Sequence, residues 1–405
     1  MRIVEIRPPR VIANPHSAVG NPQLAIPSRQ SAVDTPHSAI RIPQSAFGTP
    51  HSAIRIPQSA FDNPQSSFGN RQSAVGNRQS ALPPNHLLAL YDRRPILRSC
   101  SSMALYRYLH LDVFTDRAFE GNQLAVFPEP QGLTDAQMQT IAKEMNFSES
   151  TFIFPRERDG DVRMRIFTPG EELPMAGHPT IGSTYALAIE GAIARGRDSF
   201  VFELGVGPTP VSLEWNDSGL SFAWMTQQVP TFGGVLPDRG AVAQAAGVPE
   251  ADLMSGMPVQ VVSCGVPFLF VPLATRAAVD SASIDRRMIA RCYENAGLEE
   301  RPVFFFTPDA GAGNDGATVY SRMLAPGFGI AEDPATGGAS GPLGSYLLRY
   351  GLVSADTARS MLSLQGVAMG RPSRIHMSID SDGDRITRVR VGGQSVLVGR
   401  GELTI

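Results

Sequence analysis

The chain has 405 residues, 42% of them apolar and 18% charged, with a formal net charge of −3. No apolar run reaches the roughly 18 residues of a membrane-spanning helix, and the start MRIVEIRPPR lacks the apolar core of a signal peptide. Three scattered cysteines, Cys100, Cys264 and Cys292, exclude a disulfide framework and a zinc site and make a reducing cytoplasm the default, while Lys143, the single lysine, is the one candidate for Schiff-base or P-loop chemistry.

The first hundred residues differ from the rest. Residues 14 to 83 divide into ten heptads, among them TPHSAIR twice, IPQSAFG and IPQSAFD. Proline at the second position of seven heptads excludes a coiled coil, and one large apolar side chain per repeat buries too little to offset the ordering entropy of a solenoid. Seven codons also equal three copies of a seven-nucleotide unit: TPHSAIR can be encoded as ACTCCGC, ATTCCGC, AATCCGC. Residues 1–102 are therefore expected to be either a translated DNA repeat, with the physiological start at Met103, or a disordered basic tail. Charge divides at the same place, with 11 Arg against 4 acids in 1–102 and 24 basic against 34 acidic residues in 103–405. The acidic larger part argues against nucleic acid as a partner.

From Met103 onward the pattern is α+β with strands dominant. Strands are expected at 106–114, 123–127, 150–155, 161–168, 199–204, 209–215, 219–224, 259–263, 267–273, 302–307, 317–325, 374–380, 386–391 and 394–404. Thr134 and Gln137 stand in capping-box spacing ahead of Met138, Ile141, Ala142 and Met145, which share one helical face. Further helices are expected at 179–190, 238–246, 284–295, 337–350 and 354–362.

Two of these helices follow similar preambles. RIFTP at 165–169 precedes GHPTIG at 177–182 and a helix, and RMLAP at 322–326 precedes DPATGG at 333–338 and another helix. The recurrence implies an internal duplication, each half a curved sheet around a central helix, with a division near 225/226 and the last strand, about 395–405, completing the first half. Small residues at both helix starts leave N–H groups approachable, so two converging starts would receive a small carboxylate. Two well-capped core helices would leave the same trace.

At these residues the chain becomes recognisable. DVFT at 112–115, GNQLAVF at 121–127, NFSES at 146–150, RIFTP, AGHPT at 176–180 and EDPATG at 332–337 resemble, in order, the PhzF family of phenazine biosynthesis-like isomerases. The resemblance implies a diaminopimelate epimerase-like fold of two similar halves with the site between them, no cofactor, and a homodimer. It carries the acid/base role to Glu149, with His178 and Asp333 at the turns where related epimerases place paired cysteines. Asn122, Gly177, Thr180, Gly337, Gly338 and Ala339 are expected to bind substrate, and Gly338 departs from the serine that the family often has. The implied reaction is a proton shift with double-bond migration in a small carboxylate, of the trans-2,3-dihydro-3-hydroxyanthranilate type. An amino-acid epimerase and a non-catalytic binding protein stay open as other readings.

Other signals fail. Gly311, Gly313 and Gly316 form a GxGxxG followed by a β-rich run instead of a helix, and no HExxH, GxSxG or P-loop is present. Cys264 lies in an apolar run and reads as a buried small hydrophobe. His110 and His376 fall within strand patterns without partners.

Overall fold

The computed structural model describes residues 104–308 and 315–405; the heptads, Met103, Gly311 and Gly313 lie outside the described residues. The first half runs β1 (Leu105–Val113), β2 (Asn122–Phe127), α1 (Asp135–Met145), β3 (Glu149–Pro155), β4 (Val162–Phe167), β5 (Glu172–Leu173), α2 (Gly177–Ile189), β6 (Ser199–Leu204), β7 (Gly207–Asn216) and β8 (Gly219–Gln227). The second runs β9 (Thr231–Val235), α3 (Arg239–Ala245), β10 (Gln260–Ser263), β11 (Pro267–Pro272), α4 (Arg276–Ser281), α5 (Arg286–Ala296), β12 (Val303–Pro308), β13 (Val319–Ala325), β14 (Ile330–Asp333), α6 (Gly337–Arg349), α7 (Ala355–Ala358), β15 (Met361–Gln365), β16 (Ser373–Asp382) and β17 (Arg385–Gly393). The chain closes with β18 (Ser395–Thr404).

Strand pairing repeats between the halves. β1 pairs antiparallel with β2, β2 parallel with β3, β3 antiparallel with β4, β4 parallel with β6, and β6, β7 and β8 follow antiparallel. The same sequence of directions runs through β10, β11, β12, β13, β15, β16 and β17. β18 adds to β1 as β9 adds to β10, and an antiparallel β8–β17 pair joins the halves. The division at 225/226 falls inside β8, two residues before its end at Gln227.

Each half wraps its own helix. Ile181, Tyr185 and Leu187 of α2 pack among Leu111, Leu124, Phe202 and Val211, and Leu343, Tyr346 and Leu347 of α6 pack among Phe270, Phe304, Met377 and Val389. Eleven consecutive residues of each helix are buried, which is why neither shows the one-sided stripe of a surface helix. By contrast α1 lies outside the sheet, capped by the expected Thr134/Gln137 box and covering Phe127 and Phe152 with Met138, Ile141 and Ala142.

The expected helix at 354–362 is corrected. Ala355–Ala358 forms one short helical turn, and Met361–Gln365 forms a fully buried strand between β13 and β16. Burial on both faces replaces alternation with a short apolar run, which helix and strand patterns share. β9 and β14 are also strands that the sequence pattern did not single out.

Candidate active site

The two central helices begin against each other. A Cβ added to Gly177 would lie 2.4 Å from the carbonyl carbon of Gly337 and 2.5 Å from the nitrogen of Gly338, so only a glycine permits the approach. Neither start is capped by a side chain: Ala176 has no acceptor, and the Thr336 hydroxyl donates to Asp333 Oδ2 at 2.7 Å. First-turn N–H groups of both helices thus lack side-chain acceptors at one place, an anion-favouring arrangement.

A cavity of about 200 Å³ opens there, lined by Gly177, His178, Gly337 and Gly338 together with Glu149 and Asp333. Apart from Thr168, Glu171, Arg301 and Thr336, the rest of its lining is apolar and includes Met175, Val266, Phe268, Met323 and Ile330. A Cβ on Gly338 would meet only the Phe268 ring, at 3.8 Å, so the position has room for a larger side chain.

Glu149 reaches this cavity because the chain reverses just before it. Asn146 caps α1 in the left-handed conformation, and β3 then starts at Glu149, in parallel register with Leu124 of β2. The Glu149 side chain is 12% exposed, and its Oε2 lies 3.1 Å from His178 Nε2. The pair lacks hydrogen-bond alignment, so both atoms are buried polar atoms without a hydrogen-bond partner in the protein. Such loose contacts are common in unliganded active sites.

Burial, reinforced by the negative charge of Asp333, raises the Glu149 carboxyl well above the usual carboxylate range. Burial also lowers the His178 imidazole to about 3, against the opposing pull of a hydrogen bond with the Gln123 backbone, so the ring is neutral at pH 7. A neutral imidazole can donate to a carboxylate or accept from a carboxylic acid. The ring thus stands beside Glu149 without a charge of its own at neutral pH.

Asp333 is held by three donors: Asn122 Nδ2 at 2.8 Å and Ser148 Oγ at 2.9 Å on Oδ1, and Thr336 on Oδ2. Burial raises its carboxyl, and these donors work in the opposite direction. Gln365, fully buried on β15, donates to the Asp333 carbonyl at 2.8 Å and to Thr336 Oγ1 at 2.9 Å, and accepts from the Thr336 N–H. Each preamble arginine forks onto a carboxylate beside its turn. Arg165 bonds both oxygens of Glu172, and Arg322 bonds both oxygens of Glu332, next to Asp333.

Three expected substrate contacts are corrected. Asn122 does not line the cavity. It sits behind it, donating to Asp333 and to the Ala335 carbonyl, 3.1 Å from His178 Nδ1, so it ties the first half to the second. Thr180 is fully buried with its hydroxyl donating to the Ala176 carbonyl, and Ala339 is fully buried with its N–H donating to the Thr336 carbonyl. The inward-turned first helical turn consumes their polar groups. Ser148, Gln365 and Phe268 were not anticipated; nothing local distinguishes them, since each acts through a contact distant in sequence.

Asn122→Ala removes donors from Asp333 and from a buried carbonyl. It is expected to cost about 1–3 kcal/mol in a urea titration, with turnover falling further than the small change in substrate KM.

Cys264 is fully buried among apolar side chains, and burial pushes its thiol up to about 12, as suits a small hydrophobe. Among the described residues no thiol lines the cavity.

The family model for PhzC-PhzF, phenazine biosynthesis-like protein, matches residues 111–401. The chain belongs to this family. It is 34% identical over 304 residues to a trans-2,3-dihydro-3-hydroxyanthranilate isomerase of Pseudomonas aeruginosa, covering 73% of this chain and 99% of that protein. A PhzF-family phenazine biosynthesis protein of Bacillus anthracis superposes with a TM-score of 0.66 at 24% identity, over 75% of this chain and 100% of that one. A hydroxyproline epimerase of Agrobacterium vitis superposes with a TM-score of 0.52 at 14% identity, over 74% and 93%, a likeness of fold alone. The family and this epimerase thus share one fold. In this chain the side chains at the two helix starts are His178 and Asp333, and Glu149 lies beside His178.

Proposed function

We propose that the protein is an isomerase that uses its own side chains to move a proton between two carbons of a small carboxylate, as in trans-2,3-dihydro-3-hydroxyanthranilate. The observation that carries this reading is the clustering of the buried acid/base groups. Glu149, His178 and Asp333 form one contiguous group around Asn122, while most of the remaining cavity lining is apolar.

Glu149 takes a proton from one carbon as the C–H electron pair enters the adjacent π system. The double bond migrates, and the protonated Glu149 returns the proton to the far carbon on the same face. Burial and the Asp333 charge raise its pKa, which makes it a stronger base than an ordinary carboxylate and lets it hold the proton that it must return. N–H groups around Gly177, Gly337 and Gly338 hold the substrate carboxylate, and Phe268 packs on its apolar part. His178 and Asp333 orient ring substituents. The resemblance supports a homodimer, and the free, buried Cys264 and Cys292 accord with a reducing cytoplasm.

One observation favours a second reading. Glu171 also lines the cavity, and an epimerase needs a second acid facing the other side of its carbon. Turnover of a trans-2,3-dihydro-3-hydroxyanthranilate-type substrate in D2O separates the two. A single shuttling carboxyl delivers part of the original hydrogen to the new carbon within the first turnover, whereas complete deuteration together with loss of activity in Glu171→Gln selects the epimerase.

A further inference from the structure

A second cavity, of about 220 Å³, lies behind the first, and one side chain lines both. Met175, in the loop just before α2, is 4% exposed and belongs to the walls of the two spaces. Gly265 leaves room for its methyl: the φ of +127° there suits glycine, and a Cβ would lie 2.7 Å from Met175 Cε. Beyond Met175 the second cavity is apolar at Val206, Met225 and Cys264 and carries amides at Gln227 and Gln228. Gln227 also donates to the Gly337 carbonyl at 2.9 Å, so this space reaches the back of the helix start that closes the first cavity.

We propose that Met175 is the partition that sets how long a substrate the enzyme accepts, and that the space behind it is an extension subsite for a short side chain. An unbranched thioether can fill such a gap, and removing it would join the cavities without touching Glu149, His178 or Asp333. The carboxylate would stay at the helix starts, while a substituent pointing toward Met175 would gain access to the surfaces of Val206 and Met225. This inference rests on the reading that the helix starts hold a carboxylate.

Calorimetric binding of benzoate and of 2-, 3- and 4-propylbenzoate tests it. Wild type should bind benzoate at least tenfold more tightly than each propyl analogue. Met175→Ala should shift that ratio at least tenfold for one of the three, because a few buried methylenes are worth at least that factor. An unchanged ratio in a variant that still binds benzoate overturns the proposal. Failure of wild type to bind benzoate at all counts against the carboxylate reading instead. In that case xenon under pressure decides the partition: density running continuously from Phe268 to Met225 in Met175→Ala crystals supports it, and two separate sites overturn it. Met175→Val, a milder truncation, serves both measurements if the alanine variant does not fold.

Discussion

Glu149→Gln is expected to lower kcat by about 10³-fold, within the range that a positioned acid/base contributes, while the fold is retained. Glutamine has the shape of the acid and can hydrogen-bond to His178, but it cannot take a proton from carbon and give it back. The substitution also has a pH signature in stability. The unfolded carboxyl ionises near its ordinary value of about 4.3, and the folded one holds its proton to higher pH because of burial and the Asp333 charge. Between these two values the folded state binds more protons than the unfolded state, so wild-type stability falls as pH rises through that window. The variant lacks this loss. Urea midpoints should therefore show Glu149→Gln gaining on wild type from pH 4 to pH 8. His178 acts at the other end: with its pKa near 3 against about 6.5 unfolded, it withdraws stability from both proteins as pH falls below 6.5. A gap between the proteins that stays constant with pH would mean that Glu149 ionises normally in the fold, and wild-type turnover by the variant would remove it from the chemistry.

How much of this was legible in the sequence depends on how local each signal is. The α1 capping box, the strands with clear β patterns and the paired preambles are set by neighbours within a few residues, and they stand in the structure close to their expected bounds. Glu149, His178 and Asp333 were reached through motif resemblance, because neither spacing nor polarity separates Glu149 from an exposed strand-end carboxylate. The scaffold was hidden. Asn122 and Asp333 are 211 positions apart, and Ser148 and Asp333 are 185 apart, yet they are hydrogen-bonded. A side chain that spends its polarity on a partner from the other half carries no mark of that use along the chain. For the same reason Asn122, Thr180 and Ala339 look from the sequence like ligand contacts, whereas the fold satisfies them internally. β15 was missed because burial on both faces erases the alternation by which a strand is recognised.

Gly177→Ala carries the largest expected structural effect and tests the frame on which everything else rests. The added methyl would meet backbone, Gly337 carbon at 2.4 Å and Gly338 nitrogen at 2.5 Å, and backbone cannot swing aside as a side chain does. Nor can either helix retreat, since α2 and α6 are enclosed along eleven residues by their own sheets and Gly337 is backed by Phe114, 2.8 Å from where its own Cβ would stand. Overpacking of this kind costs about 3 kcal/mol, and even a small parting of the helix starts moves His178 relative to Asp333. A displacement near 1 Å lowers turnover by about 10²-fold. Gly338→Ala is the internal control: in the facing helix start, one residue beyond Gly337, its methyl meets only Phe268 at an ordinary contact distance, and its stability should stay within about 1 kcal/mol of wild type. Thermal unfolding of the two variants should therefore separate sharply. Equal stability would show that contact between the helix starts is dispensable, and would leave Asp333 tied to the first half by its hydrogen bonds from Asn122 and Ser148.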